Sequence, residues 1–238
     1  CIWFARRDVT LETLQTHGVG KRFKSMKVLD LIEGPITTAA VFADATRRVI
    51  ASGNQVLAVV SDSLLSVQAV EGHLPALFYP RAGTPERVLG IAIGSGQSFG
   101  AMLMYPIKQM DVVDISTEMI ELAMTRFRGF NHDLGTDPRV TIHLDDGRHF
   151  VERAPADYYD VVSMEPPPPT AEGVHALYSL EFYQSIERVM REDGVLMQWV
   201  PLYWLTPNEA RGLVKTQAQV FPNTFLVRTG PVDFMTLS

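Results

Sequence analysis

Glu86-Arg87-Val88-Leu89-Gly90-Ile91-Ala92-Ile93-Gly94-Ser95-Gly96 is an apolar run that ends in a tight Gly-Ser-Gly turn. A helix-compatible segment, 97–105, follows, and the apolar pair Val112-Val113 then closes on Asp114. Strand, glycine turn, helix, strand, acid is the order of a loop wrapped around a nucleotide at the carboxyl edge of a parallel sheet. The pattern locates a crevice; alone it names neither nucleotide nor reaction.

Downstream, the alternation continues. Residues 117–127 read as an amphipathic helix, with Ser116 or Thr117 as N-cap and Gly129 as stop. Val140-Thr141-Ile142-His143-Leu144 predicts a strand ending on Asp145-Asp146-Gly147, and Asp160 to Met164 a strand ending on Glu165 and four prolines. A helix over 180–190 closed by Glu192-Asp193-Gly194, a strand over 195–200, a helix over 207–220 and a strand at Phe225-Leu226-Val227 complete the series. Upstream, short β-like runs around Thr37–Phe42, Arg48–Ala51 and Gln55–Val60 predict a small antiparallel sheet. Leu64, Val67, Val70 and Leu74 predict a helix over 63–79. The expected fold is α/β: a doubly wound, mostly parallel Rossmann-like sheet with a small N-terminal antiparallel β-sheet. The expected division is an N-terminal segment over 1–32, the antiparallel unit over 33–62 and the main domain over 63–238.

The chain has 238 residues, 46% of them hydrophobic and 20% charged, enough for one large domain with a sizeable core. A net charge of −6 without like-charge blocks argues against a nucleic-acid partner. The single cysteine, Cys1, excludes an internal disulfide framework and a cysteine zinc site and suits a reducing, cytoplasmic compartment. No run reaches the roughly 18–20 apolar residues that span a bilayer. Cys1-Ile2-Trp3-Phe4-Ala5 before Arg6-Arg7 is compatible with the cytoplasmic end of a membrane segment upstream, with a lipid-modified cysteine, or with an arbitrary starting point.

Three acids, Asp114, Asp146 and Glu165, fall at the carboxyl ends of successive predicted strands. Asp114 follows Gly96 by 18 positions, near the spacing at which a carboxylate takes up a ribose diol; the blander reading is a cap ahead of Ser116. Six histidines occur without ligand-pair spacing, so no metal site is expected. His143 reads as packed within a strand, whereas His175, in the loop after the prolines, is a candidate to face a substrate. Neither a Gly-x-Ser-x-Gly elbow nor a Gly-Lys-Ser/Thr phosphate loop is present.

From about residue 33 to about 228 the chain resembles the spermidine synthase-like (polyamine aminopropyltransferase) branch of the class I S-adenosylmethionine-dependent methyltransferase fold. It is similar in particular to spermidine synthase-like domains fused to membrane segments. The residues that carry the resemblance are His73-Leu74-Pro75, Arg87-Val88-Leu89 with Gly94-Ser95-Gly96, and Asp111-Val112-Val113-Asp114-Ile115. Further on come Asp137-Pro138-Arg139-Val140, Asp146-Gly147-Arg148, Tyr159-Asp160-Val161-Val162, Tyr178 to Tyr183 and Asp193-Gly194-Val195.

The resemblance implies that Gly94, Ser95 and Gly96 lie along a nucleoside sulfonium and that Asp114, with Ile115 beside it, takes both ribose hydroxyls. Asp146 would bond the adenine amino group, with Gly147 close by. Glu165 stands where the family has the first Asp of Asp-Ser-Ser-Asp-Pro, the carboxylate that contacts the attacking amine. Tyr178 and Gln198 are further pocket candidates. Relatives commonly form dimers or tetramers, which implies a homo-oligomer.

Departures from the pattern bear on the substrates. The fourth residue of that loop, an Asp in the family, is Pro168 here, and the family's Tyr-Gln/His-Glu stretch aligns with Val67-Gln68-Ala69. Losing those carboxylates argues against a buried dication such as putrescine as acceptor. Where aminopropyltransferases carry an Asp in the glycine loop, this chain has Ser95. A carboxylate there would repel the methionine carboxylate, whereas a hydroxyl can donate to it, so S-adenosylmethionine itself is the expected ligand. Glu165-Pro166-Pro167-Pro168 is also similar to the Asp/Asn-Pro-Pro-aromatic loop of amino-methyltransferases, without the aromatic residue; a stiff pocket wall is the other reading. The expectation is a transferase of a methyl or aminopropyl-type group to a small-molecule acceptor, with Glu165 as the catalytic group. Alternatives are a true aminopropyltransferase using decarboxylated S-adenosylmethionine, acceptor-free cleavage to methylthioadenosine, and a non-catalytic nucleotide sensor of a membrane protein.

Overall fold

The computed structural model describes residues 22–52, 55–61, 66–80, 83–171, 173–230 and 233–238. Residues 1–7, with their membrane-end reading, and the start of the helix expected from 63 lie outside the described residues. Among the described residues no helix is long and apolar enough to cross a membrane.

Four antiparallel strands, β1 (Lys27–Glu33), β2 (Thr38–Ala43), β3 (Arg47–Ser52) and β4 (Gln55–Ser61), form a meander in the order β1-β2-β3-β4. Its β2–β3 turn is set by Asp44, whose Oδ1 accepts from the backbone of Thr46 and of Arg47, both at 2.9 Å. β1 reaches upstream of the sheet expected from the sequence. A register shift between Val28 and Asp30 breaks the period-two alternation by which a strand is recognised.

The main sheet has seven strands: β5 (Arg87–Ile91), β6 (Gln109–Asp114), β7 (Val140–Leu144), β8 (Tyr159–Met164), β9 (Met190–Val200), β10 (Phe225–Arg228) and β11 (Phe234–Leu237). Their order is β10-β11-β9-β8-β5-β6-β7, parallel from β7 across to β9, with β11 antiparallel to both its neighbours. The chain leaves β5 for β6 and β7 on one side and returns to β8 on the other. This reversal opens a crevice at the carboxyl ends of β5 and β8.

Among the described residues six α-helices accompany the sheet: α1 (Val67–Leu77), α2 (Gln97–Met102), α3 (Thr117–Arg126), α4 (Gly147–Arg153), α5 (Leu180–Val189) and α6 (Pro207–Val220). Every residue of β8 is buried, as expected of a strand covered on both faces. One core layer gathers Val88, Phe99, Val112, Val161 and Met197; the other gathers Leu89, Val113, Val162, Tyr183 and Leu196. At the amino end of the strands, buried Asp160 accepts from the backbone of Glu86 (2.9 Å) and Arg87 (2.8 Å), from Tyr79 Oη (3.0 Å) and from Arg191 (3.1 Å). That edge of the sheet is closed by structure, which leaves the opposite edge for a site.

Two elements depart from expectation. The helix expected over 180–190 stops at Val189, and Met190 already belongs to β9, so Glu192-Asp193-Gly194 lies within a strand rather than closing a helix. Asp193 accommodates this with φ 63°. β11 was not anticipated; four residues give too short a pattern, yet it pairs between β9 and β10.

Candidate active site

The Gly94-Ser95-Gly96 loop turns at the end of β5 through positive φ at Ala92 (68°), Gly94 (51°) and Gly96 (74°). Gly96 is confined: a Cβ there would stand 3.0 Å from Leu134 and 3.2 Å from the Asn131 amide. Gly94 is the reverse, with nothing within 4 Å of where a Cβ would be, so the loop presents bare backbone to an open cradle. Ser95 is buried, and its Oγ accepts from the Gln97 backbone at 3.3 Å, leaving its hydroxyl proton uncommitted among the described residues.

Asp114, at the end of β6, accepts from Ile93 N through Oδ2 and from Ser116 N through Oδ1, each at 2.8 Å. Each oxygen keeps a lone pair, as recognition of two adjacent hydroxyls requires. Burial pushes this carboxyl up to about 6 against the backbone donors of Ser116, Ile93 and Ile115, and the Glu118 carboxylate adds to the rise. Ser116, not Asp114, caps α3, its Oγ accepting from Met119 N at 3.1 Å. Next to Asp114, Ile115 is exposed, and so is Leu144, the residue in register with Asp114 on β7. Two apolar side chains in solvent at strand ends offer a surface for a flat ring.

Asp146 caps α4, accepting from Arg148 N at 2.8 Å. Burial alone would raise its carboxyl, but the Arg148 backbone and guanidinium outweigh that and hold it below the ordinary value. At Gly147 a Cβ would lie 2.9 Å from Ile91, so the start of α4 sits directly against the end of β5.

Glu165 follows β8, its N–H donating to Ile91 O at 3.1 Å. The proline segment after it is pinned by Tyr178, whose hydroxyl donates to Pro166 O (3.2 Å) and Pro167 O (3.0 Å). Pro168 is buried beneath. Burial pushes the Glu165 carboxyl up to about 7 despite a hydrogen bond from Ser98. Its Oε1 is shielded from solvent and has no partner among the described residues.

A second carboxyl stands near it. Glu71, on α1, is 1% exposed and accepts from Thr229 Oγ1 at 3.3 Å. Burial raises it well above the ordinary range, and the carboxylates of Glu165 and Asp233 raise it further. The contact of α1 with α2 sets this approach: a Cβ on Gly72 would lie 2.0 Å from Ser98 O, so α1 rests backbone to backbone on the helix that carries Ser98. Sequence reasoning missed Glu71, although it falls between Val67 and Leu74 on the inward stripe of the helix, where a charge signals either a partner or a ligand. The expectation that a dication would find no carboxylates here is therefore corrected: Pro168 and Ala69 lack them, but Glu71 supplies one.

Of the other expected pocket residues, Gln68 lies one turn before Glu71 with its Oε1 buried and unpartnered. Gln198 is fully buried but belongs to the opposite face of the sheet, where its Oε1 accepts from Tyr183 at 2.7 Å and its Nε2 has no partner among the described residues. His175 is exposed on the turn Val174–Tyr178 and is not brought to Glu165. His143 is packed, bonded to Asp111 at 2.8 Å and set 4.7 Å from the Phe150 ring. No cluster of three potential metal ligands occurs among the described residues.

The chain is similar to several known proteins. The polyamine aminopropyltransferase of Clostridium acetobutylicum is 30% identical over 126 residues, 52% of this chain and 43% of that protein. Putrescine N-methyltransferase 2 of Nicotiana tabacum is 30% identical over 150 residues, 63% of this chain and 41% of that protein. The matched stretches thus span less than half of these relatives. Among solved structures, a spermidine synthase in complex with the transition-state analogue AdoDATO superposes with a TM-score of 0.77 at 21% identity, covering 89% of this chain and 73% of that one. Human methyltransferase-like protein 13 in complex with SAH gives 0.53 at 20% identity, covering 72% and 76%. These two establish the class I methyltransferase fold. The Spermine/spermidine synthase domain matches residues 65–236, most of the chain. The chain belongs to the spermine/spermidine synthase family.

Proposed function

We propose that this chain is an alkyl transferase that holds an S-adenosylmethionine-type nucleoside at Gly94–Gly96, Asp114, Ile115, Asp146 and Gly147 and acts on the nitrogen of a small amine. The observation that carries the reading is Glu165: a carboxyl at the switch point of the sheet, raised to about 7, with one oxygen buried and unpartnered beside an open glycine cradle.

The residues present suit the nucleoside. Asp114 has one free lone pair on each oxygen, Gly94 leaves room for close approach, and Ile115 and Leu144 offer an apolar surface. When bound, the sulfonium supplies an electrophilic carbon that already carries its leaving group. The protein's work is then positioning and proton removal. An amine attacks only as the free base, and a carboxylate that titrates near 7 can take its proton at neutral pH. Ser95 supports S-adenosylmethionine over its decarboxylated form, because its uncommitted proton suits a carboxylate and no acid stands there to bind an ammonium. The unpartnered acceptors around Glu165 favour an amine acceptor over acceptor-free cleavage.

Calorimetry with the two nucleosides tests the reading. S-adenosylmethionine is expected to bind more tightly than the decarboxylated form, and Asp114→Asn to weaken both by roughly 10-fold or more. Preference for the decarboxylated form would refute the Ser95 argument, and lack of binding by either would refute the site.

A further inference from the structure

The family pattern provides acceptor carboxylates at positions that are Pro168 and Ala69 here, yet the structure buries others close by. Glu71 on α1 lies within electrostatic reach of Glu165 and Asp233. The Trp199 indole N–H donates to Asp233, and the Tyr203 hydroxyl lies within electrostatic reach of both Glu71 and Asp233.

Some of the acceptors around these acids lack donors. Gln68 Oε1, one turn from Glu71, and Glu165 Oε1 are both buried with no partner among the described residues. Ser163, fully buried and two residues before Glu165 on β8, shares its sheet face and has an unpartnered Oγ. Three carboxyls thus gather, Glu165 and Asp233 each within electrostatic reach of Glu71, and Gln68 Oε1 and Glu165 Oε1 have no donor among the described residues. A buried set of that kind is costly unless a cation with several N–H donors completes it. An alkylammonium has three such donors.

We propose that Glu71 is the specificity-determining residue of the acceptor pocket, receiving with Asp233 the second, non-reacting ammonium of a short diamine whose other nitrogen lies at Glu165. Two cationic ends need two anionic stations, and α1 supplies the one that the proline segment lacks. The assignment rests on the transferase reading above, since it presumes that the pocket beside Glu165 receives an alkyl acceptor.

The test compares putrescine with butylamine, which has the same four-carbon chain and one nitrogen, titrated calorimetrically into protein saturated with methylthioadenosine. Wild type is expected to prefer putrescine, and Glu71→Gln to lose roughly 10- to 100-fold of putrescine affinity while butylamine moves less than about 3-fold. Glu71→Asp should recover part of the discrimination, which a purely structural role would not produce. If Glu71→Gln does not fold, Glu71→Asp and Asp233→Asn are read by the same ratio. An equal loss for both amines, or no loss, overturns the assignment of Glu71 while nucleoside binding still supports the transferase reading. Failure of wild type to bind methylthioadenosine overturns that reading and this assignment with it.

Discussion

Replacing Glu165 by Gln should stabilise the protein in alkaline solution. The folded carboxyl keeps its proton to about 7, whereas the unfolded chain releases it near the ordinary 4.5. Between these values the folded state binds more protons than the unfolded state, so stability falls as pH rises through the window. The gap, at 1.36 kcal/mol per pH unit, amounts to roughly 3 kcal/mol above pH 7. Gln at 165 has no charge to desolvate and relieves Glu71 of a like-charged neighbour, which acts in the same direction. Urea unfolding of both proteins at pH 4.5 and pH 8 measures the effect. The variant should match wild type at pH 4.5 and exceed it by roughly 3 kcal/mol at pH 8, or about 6–12 °C in Tm for a chain of this size. The carboxylates held low, such as Asp44, Asp137 and Asp146, contribute stability that is lost as pH falls below the ordinary carboxylate range, but they are common to both proteins and cancel. A difference that stays constant or shrinks as pH rises would refute a Glu165 that holds its proton to neutrality.

Gly72→Ala places a Cβ 2.0 Å from Ser98 O and 2.8 Å from Ala101 Cβ, so α1 must move off α2. The expected cost is about 1–3 kcal/mol in urea unfolding, with weaker amine binding and unaltered nucleoside binding. Gly212→Ala, on exposed α6 where a Cβ meets nothing within 4 Å, should instead stabilise by about 1 kcal/mol. Ser95→Asp should reverse the nucleoside preference towards the decarboxylated form, by roughly 10-fold or more in calorimetry. Tyr178→Phe removes the hydroxyl whose single proton is shared between Pro166 O and Pro167 O and should lower stability by about 1 kcal/mol, read from the unfolding midpoint.

Much of this site was legible because its residues follow strand ends. Apolar runs closed by Asp114, Asp146 and Glu165 marked both the strands of the sheet and the edge at which those acids gather, since a strand must end where water begins. What stayed hidden depends on packing between distant segments. Glu71 comes within electrostatic reach of Glu165 because Gly72 lets α1 settle on α2, a contact across a sequence gap that no local pattern records. Gln198 pairs with Met164, the residue before Glu165, and the alternation of side chains along the chain sends Gln198 and Glu165 to opposite faces; family position alone could not separate them. His175, on a short exposed turn, had no periodicity to orient it. β1 and β11 escaped notice through a bulge in one and the brevity of the other.

The central claim is that Glu165 takes the proton of an amine acceptor during alkyl transfer. The turnover of Glu165→Gln, measured against wild type with saturating S-adenosylmethionine and putrescine across pH 5.5–8.5, tests it most directly. The expected result is a wild-type kcat that rises to a plateau above about 7, and a variant slower by roughly 100-fold or more without that rise, its nucleoside affinity unchanged. A variant that turns over within about 3-fold of wild type, or that retains the same pH profile, would contradict it.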